Sequence, residues 1–322
     1  MPQRRPVFLV VFLVASAVVI AGAALVILLE PSGVLRGRLT GETFYRGRPA
    51  SAWRQQLSGG PAVQAEAEAV LAHPEAVPVL RNILSGTGSH GADAEARWIA
   101  ARLLAKLGPD ARSAEPELLA ALRDADPHLP GVVAAALPKV GIAADQALPA
   151  LVPLLETPHA AIALRAISEY RAAAKTTLPA LMAVLSDRTR DSEVRWNAAR
   201  TLGKIGPDAA PAVATLVEHL TDDDPLVREH AAEALGDIGP AAVDAVPALV
   251  AALRDPQTRV RRDAVRSLGQ IGPVAREAEP AVRRLLADKE AMVRTAAATA
   301  WERITGEDVS TLPADALAPH HE

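Results

Sequence analysis

The sequence predicts an all-α protein, a right-handed α-solenoid of about eight helix pairs behind one N-terminal transmembrane helix. Three observations predict this class. Half of the 322 residues are apolar but only 3% are aromatic, a mixture rich in Ala, Leu and Val that suits closely packed helices better than sheets. A stretch of 33 residues recurs in the second half of the chain, and residues 7–29 carry no charge.

The uncharged segment 7–29 predicts a membrane anchor. As a helix, it would span roughly 35 Å, enough to cross a hydrocarbon core of about 30 Å. A cleaved signal peptide is the alternative, but the apolar run is longer than the usual apolar region of such a peptide. We therefore expect an uncleaved single-pass anchor after a short basic tail at 1–6, with most of the chain outside the cytoplasm.

The repeat is marked by an Arg that follows Val and by a Gly between Ile and Pro. These positions are Arg195, Arg228, Arg261 and Arg294, and Gly206, Gly239 and Gly272. Each repeat reads as two helices, because a Pro opens the first one and Gly-Pro ends the second. Such a pair cannot bury its apolar face alone and must stack on its neighbours. We expect the stack to cover residues 50–305, between a linker at 30–49 and a disordered tail at 306–322.

An Asp lies six residues before the repeat Arg in three repeats. The pairs are Asp222 with Arg228, Asp255 with Arg261, and Asp288 with Arg294. The Asp is expected at the end of the first helix and the Arg in the first turn of the second. Charge-assisted hydrogen bonds between such residues join consecutive turns of a stack. We therefore assign these six residues a structural role, as a ladder.

The stretch PALVAALRDPQTRVRRDAVRSLGQIG resembles a HEAT repeat of the short bacterial type, often called phycobilisome-lyase-like. The resemblance covers roughly residues 61–305 and is weaker where Pro130 replaces the repeat Arg. Segment 44–57 resembles one that precedes such repeats in membrane-anchored bacterial HEAT proteins. That match is carried by Tyr45, Gly47, Pro49 and Trp53. The resemblance implies a location at the bacterial inner membrane, with second helices lining the concave side of the solenoid.

Side chains at +2, +5 and +9 after the repeat Arg vary between repeats while the scaffold residues stay fixed. These offsets are expected to share one helical face, and solenoids bind partners along their concave surface. We call this candidate partner-binding set the predicted ridge. It comprises Arg102, Lys106, Asn197, Arg200, Lys204, His230, Glu233, Asp237, Asp263, Arg266 and Gln270. Trp98 and Trp196 share offset +1 and are expected either to pack against the adjacent repeat or to contact a partner.

Composition and motifs argue against a catalytic, cofactor or metal site. The chain has no Cys, which excludes disulfides and cysteine-based metal sites, and no phosphate loop or catalytic motif is present. Net charge is −4, so no nucleic acid partner is expected, nor any cofactor or metal. The sequence predicts a non-catalytic, membrane-anchored scaffold for an unidentified protein partner. An accessory subunit of a lyase-like enzyme and a structural envelope component remain alternatives.

Overall fold

The computed structural model describes residues 20–22, 25, 30, 32–86 and 92–312. Apart from a few of its residues, the predicted anchor at 7–29 lies outside the described residues, as does 313–322 of the predicted tail. The chain packs as two compact units, Met1–Ile142 and Ala143–Glu322, which we call unit 1 and unit 2. The division falls inside the array that the sequence predicts as one domain at 50–305.

Unit 1 begins with structure in the predicted linker. Helix α1 spans Val34–Leu39, and strands β1 (Phe44–Tyr45) and β2 (Arg48–Pro49) form an antiparallel hairpin. Both turn residues, Arg46 and Gly47, have positive φ, of 49° and 75°, as the tightest hairpin turns require. A Cβ on Gly37 of α1 would lie 2.6 Å from the Pro49 side chain, so α1 packs directly on the hairpin. The linker prediction for 30–49 is therefore wrong over α1 and the hairpin.

The hairpin holds the first helix of the stack. Trp53 is 3% exposed, and its indole nitrogen donates to the backbone oxygen of Tyr45 at 3.1 Å. The rings of the two residues lie 6.3 Å apart. This aromatic pair, in which the indole nitrogen is hydrogen-bonded, thus packs at the start of the helix stack.

Three helix pairs follow in the described part of unit 1. Their helices are α2 (Ala50–Leu57) and α3 (Pro61–Leu71), α4 (Val77–Leu84) and α5 (Ala92–Leu107), and α6 (Glu115–Ala121) and α7 (Leu129–Val140). The first helices α4 and α6 each carry a Pro in their first turn, where its missing amide leaves no bond unmade. α7 ends at Gly141, in the left-handed conformation.

The described part of unit 2 holds five further helix pairs. Its helices are α8 (Ala144–Leu151) and α9 (Ala160–Ser168), α10 (Leu178–Ser186) and α11 (Ser192–Ile205), α12 (Val213–Glu218) and α13 (Pro225–Ile238), α14 (Val246–Ala252) and α15 (Thr258–Ile271), and α16 (Glu279–Arg284) and α17 (Ala291–Thr305). Segment Val309–Thr311 of the predicted disordered tail forms one 3-10 turn, capped by the Asp308 side chain.

The Gly-Pro motif makes a sharper turn than a simple helix stop. Gly206, Gly239 and Gly272 have φ of 79°, 75° and 81°, with ψ of −145°, −144° and −149°. This region is essentially limited to Gly and lies outside the left-handed helical region in which a Gly commonly ends a helix. Each Gly starts a 3-10 segment that leads into the next first helix, such as Gly239–Ala245.

Second helices of unit 2 approach each other through glycines spaced 33 residues apart. A Cβ on Gly203 of α11 would lie 2.8 Å from the Cα of Ala234 in α13. On Gly269 of α15 it would lie 2.7 Å from the Cα of Ala300 in α17. On Gly236 it would lie 2.4 Å from the hydroxyl oxygen of Ser267, which is fully buried. The side-by-side packing of second helices therefore depends on the missing side chain at this position.

One described segment, Pro225–Ala252, is long and apolar enough to cross a membrane. It consists of α13, the 3-10 segment Gly239–Ala245 and α14, and half of its most apolar window is buried inside the protein. Its apolar character is that of repeat core, because Leu235, Ile238 and Leu249 are fully buried.

Candidate functional site

Arginine and aspartate side chains of consecutive repeats form the ladder in unit 2. Each Arg binds the carboxylate of the Asp 27 residues later. The shortest nitrogen–oxygen distances are 2.9 Å for Arg195–Asp222, 2.7 Å for Arg228–Asp255 and 3.0 Å for Arg261–Asp288. The Nη1 of Arg228 also donates to the backbone oxygen of Asp222 at 2.8 Å. One guanidinium thus ties its own turn to the next repeat.

This pairing differs in one respect from the predicted one. The sequence pairs each Asp with the Arg six residues later, but that Arg binds the Asp carbonyl oxygen. The carboxylate instead accepts from the preceding repeat and from the amide two residues ahead, as Asp222 does from Asp224 at 2.9 Å. The turn therefore fixes the carboxylate toward the preceding repeat.

The ladder is interrupted and has an open end. In unit 1 one rung joins Arg97 to Asp124, and it is not continued because Pro130 occupies the next Arg position. At the other end, Arg294 donates to the carbonyl oxygens of Asp288 and Lys289, at 2.7 and 3.0 Å. In the described part of the chain, no carboxylate pairs with Arg294.

Two opposing effects set the pKa of the ladder carboxyls. Burial alone would raise the pKa of Asp222 and Asp288, but hydrogen bonds from Arg195 and Arg261 and from backbone amides outweigh it and lower both pKa values. A carboxylate with a lowered pKa stabilises the fold above its unfolded-state pKa, and this contribution is lost as pH falls through the folded-state value. The ordinary value for these groups is 3.8.

The ladder should therefore make the protein acid-sensitive. We expect the melting temperature of the full chain to fall as the pH is lowered from 5 to 3, measured at intervals of about half a pH unit. It should fall less in the Asp222→Asn variant. Thermal unfolding followed by circular dichroism measures both. Asp110→Asn, which alters an exposed carboxylate outside the ladder, is the control and should follow the wild type. Parallel pH profiles for wild type and Asp222→Asn would contradict the assignment.

The structure divides the predicted ridge into exposed and buried members. Asn197 and Asp263, both at offset +2, are 1% and 2% exposed, so their placement on a partner-binding surface is wrong. Asn197 donates to the carbonyl oxygen of Glu193 at 2.8 Å, and Asp263 accepts from Arg262. With about 100° per residue, offset +2 lies roughly 60° from +5 and faces the neighbouring helix. The other nine members are exposed or partly exposed: Arg102, Lys106, Arg200, Lys204, His230, Glu233, Asp237, Arg266 and Gln270.

Offsets +1, +5 and +9 form the outward surface of the second helices, which we call the stripe. In unit 2, charged stripe residues pair across neighbouring repeats at a spacing of 33 residues. The pairs are Glu229–Arg262 at 3.5 Å, Glu233–Arg266 at 3.9 Å and Lys204–Asp237 at 3.6 Å. Sequence reasoning missed Glu229 and Arg262, whose charges alternate along the array at offset +1 as those of the other pairs do.

The stripe carboxyls have different proton affinities. The hydrogen bond with His230 holds the pKa of Glu233 below its usual range, against the effect of burial. Burial raises the pKa of Asp237 despite the attraction of Lys204. Burial, with the nearby charge of Asp263, also raises the pKa of Glu229. The stripe of unit 2 is thus a mixed surface in which most charges already have a partner.

Both tryptophans at offset +1 pack against a histidine of the following repeat. The Trp98 ring meets the His128 ring edge-on at 5.1 Å, and its indole nitrogen donates to Asp126 at 2.9 Å. The Trp196 ring stacks on His230 at 5.1 Å. Of the two expected roles, packing against the adjacent repeat is the one the structure shows.

The stripe of unit 1 has a different character. Arg102 and Lys106 on α5 and Lys139 on α7 are exposed and line one groove. Lys139 is absent from the predicted ridge because Pro130 replaces the Arg from which offsets are counted. The signal was present in the sequence, since Lys139 lies 33 residues after Lys106.

Within the described ranges, no three His, Asp or Glu side chains converge as a metal site would require. The side-chain arrangement suits non-covalent contacts along the stripe.

Comparison with known proteins agrees with the repeat. Three overlapping stretches, 178–264, 213–300 and 246–318, match the family model of HEAT repeats. No curated protein matches the sequence. The prediction of HEAT repeats is thus confirmed for the second half of the chain, which is a stack of HEAT-type helix pairs.

Solved structures show the same fold. Kap121p has a TM-score of 0.57 at 14% identity, with 88% of this chain and 35% of that chain covered. The structure of Kap95p with RanGDP gives 0.56 at 16% identity, covering 81% of this chain and 40% of that one. The chain thus spans about a third of Kap121p. The CpcE–CpcF complex of phycocyanin lyase from Nostoc sp. PCC7120 is 26% identical over 48% of this chain and 97% of that one, but its TM-score is 0.38, too low to support an argument.

Proposed function

We propose that the protein is a non-catalytic scaffold that binds a protein partner along the stripe of its second helices. We further propose that segment 7–29 anchors it in a bacterial inner membrane, with the repeats outside the cytoplasm. The anchor rests on the length and uncharged character of that segment.

The observation that carries the proposal is the contrast between fixed and varying positions within one repeat. Ladder, Gly-Pro turn and helix-contact glycines recur every 33 residues, and each has a structural partner. Offset +5 is instead occupied by Arg200, Glu233 and Arg266 in successive repeats. Offset +9 is occupied by Lys204, Asp237 and Gln270. The positions that differ lie on the outward surface of the second helices, where several pair with the same offset of the next repeat, and such variation is expected of a surface that recognises a partner.

Two further points support the use of this side. Glycine contacts such as Gly203 against Ala234 let second helices approach closely, as a concave second-helix surface would require. Kap121p, which shares the fold at a TM-score of 0.57, has been solved with the extreme C-terminus of the protein phosphatase Cdc14p, and also with Nup53p. Those are partners of Kap121p, and we extend only the protein-binding role to this chain.

The five lysines of the chain provide the test. Lys106, Lys139 and Lys204 lie at offset +9 of second helices, whereas Lys175 and Lys289 are exposed in turns between helices. We expect lysine-reactive cross-linking in the cells that produce the full chain to join a partner to the first three. Mass spectrometry of the cross-linked peptides reads the positions.

Lys175 and Lys289 are the internal controls, because both are exposed and lie off the stripe. Partner cross-links confined to these two residues would overturn the proposed binding side. Absence of any partner cross-link above those made by an unrelated envelope protein would overturn the scaffold role.

A further inference from the structure

The groove between α5 and α7 in unit 1 is lined by three positively charged residues and by no acidic one. It has a volume of about 450 Å³ and is lined by Arg102, Ala105, Lys106, Val132, Ala135, Ala136 and Lys139. All three cationic residues are exposed, and no carboxylate lines the groove. The small side chains between them leave an open, apolar floor.

Two of these charges, those of Lys106 and Lys139, lack the partners that the stripe of unit 2 provides. There, Lys204 faces Asp237, and Arg266 faces Glu233. In unit 1, Lys106 and Lys139 have the same offset on adjacent helices but the same sign, and neither has an ion pair or a side-chain hydrogen bond in the part of the chain that the structure describes. Arg102 contacts Glu68 at 3.3 Å, with 59% of its side chain exposed.

Helix stability explains part of this arrangement. Lys106 and Lys139 lie in the last turns of α5 and α7, where the helix dipole favours a cation. That effect accounts for one positive charge on each helix end. It does not account for the lack of an acidic residue across the groove, since like charges on adjacent helices repel.

We infer that this groove binds an acidic peptide segment of the partner, with carboxylates held by Lys106, Lys139 and Arg102 over the apolar floor. The inference rests on the proposed scaffold function and gives that function a ligand chemistry. A peptide fits better than a nucleic acid, because a phosphate backbone requires a longer track of cations. The adjoining groove between α3 and α5 contains Glu68 beside Arg102 and Lys106. The carboxylate of Glu68 would repel a run of phosphates that continued into this groove.

Peptide binding to the full chain, purified in non-ionic detergent, tests this inference. The probe is a fluorescein-labelled decapeptide of alternating Glu and Ala, read by fluorescence anisotropy at 50 mM NaCl. We expect the same peptide with Gln in place of Glu to bind at least tenfold more weakly. We expect the Lys106→Gln/Lys139→Gln variant to lose at least tenfold in affinity for the Glu peptide while keeping the wild-type melting curve.

The matched control is Arg112→Gln/Arg123→Gln, which removes two exposed positive charges from unit 1 outside the groove. It should bind the Glu peptide as the wild type does. Equal loss in both double variants, or equal binding of Glu and Gln peptides, would overturn the groove assignment. Tighter binding of a ten-nucleotide oligothymidine than of the Glu peptide would overturn the choice of ligand.

The two experiments fail separately. If native partner cross-links fall on Lys204 but the Glu peptide does not bind, the scaffold role stands and the acidic ligand is wrong. If cross-links fall on Lys175 or Lys289 alone, the proposed function fails whatever the peptide does.

Discussion

Replacing Arg228 with Ala is expected to lower the free energy of unfolding by about 3–5 kcal/mol. The variant would remove the bidentate contact to Asp255, whose side chain is only 8% exposed, and the bonds to the carbonyl oxygens of Asp222 and Asp223. Most of the loss should come from the carboxylate of Asp255, which would stay buried without a counter-charge. Urea unfolding of the full chain followed by circular dichroism measures the change.

The chain supplies its own control for this prediction. Arg294 occupies the same place in the last described repeat but binds two carbonyl oxygens and, among the described residues, no carboxylate. Arg294→Ala should therefore cost clearly less than Arg228→Ala. In the Arg228→Ala/Asp255→Ala variant no charge is left unpaired, so part of the lost stability should return. Equal losses for Arg228→Ala and Arg294→Ala would show that the ladder carboxylates contribute little.

Gly203→Ala is expected to destabilise the protein by about 1–3 kcal/mol, although Ala favours an isolated helix by about 1 kcal/mol over Gly. The added Cβ would lie 2.8 Å from the Cα of Ala234 and 3.1 Å from its Cβ. Because the nearest atom belongs to backbone, α11 and α13 would have to separate. The expected change in the free energy of unfolding is thus opposite in sign to the change in helix propensity. The same urea unfolding experiment measures it.

Thr299→Ala is the control for the glycine prediction. Thr299 is exposed on α17, and the change improves helix propensity without a new contact, so stability should be unchanged or slightly higher. A stabilised Gly203→Ala variant would mean that the contact between α11 and α13 can accommodate a methyl group. Close approach of the second helices would then not be what stabilises the stack.

Periodicity explains how much of the fold could be predicted. A 33-residue repeat with Gly-Pro stops was sufficient to predict helix pairs, because each repeat supplies an independent reading of the same pattern. Helix α1 and the hairpin were not predictable in this way. They occur once, they are short, and their conformation depends on contacts such as Gly37 against Pro49, which no local pattern records.

The candidate site was predictable only in part, for a related reason. Counting from the repeat Arg correctly identified Arg200, Lys204 and Arg266 as outward-facing. Offset +2 was assigned to the same surface, but it faces the neighbouring helix, and offset +1 is the outward-facing position. The burial of Asp263 depends on how tightly α15 packs beside α13, where Gly236 lies against Ser267. Lys139 was missed because the position used as the origin of the count is a Pro in its repeat.

The guanidinium of Arg294, which has no carboxylate partner among the described residues, has a consequence for how the repeat array could lengthen. Each Arg reaches forward to a carboxylate 27 residues ahead, so the last repeat already presents the donor that an added repeat would need. A tandem duplication of one 33-residue unit after the existing array would supply the matching Asp, turn and glycine in register. The gene could therefore gain or lose whole units by recombination while the ladder bonds at the remaining junctions of unit 2 are kept.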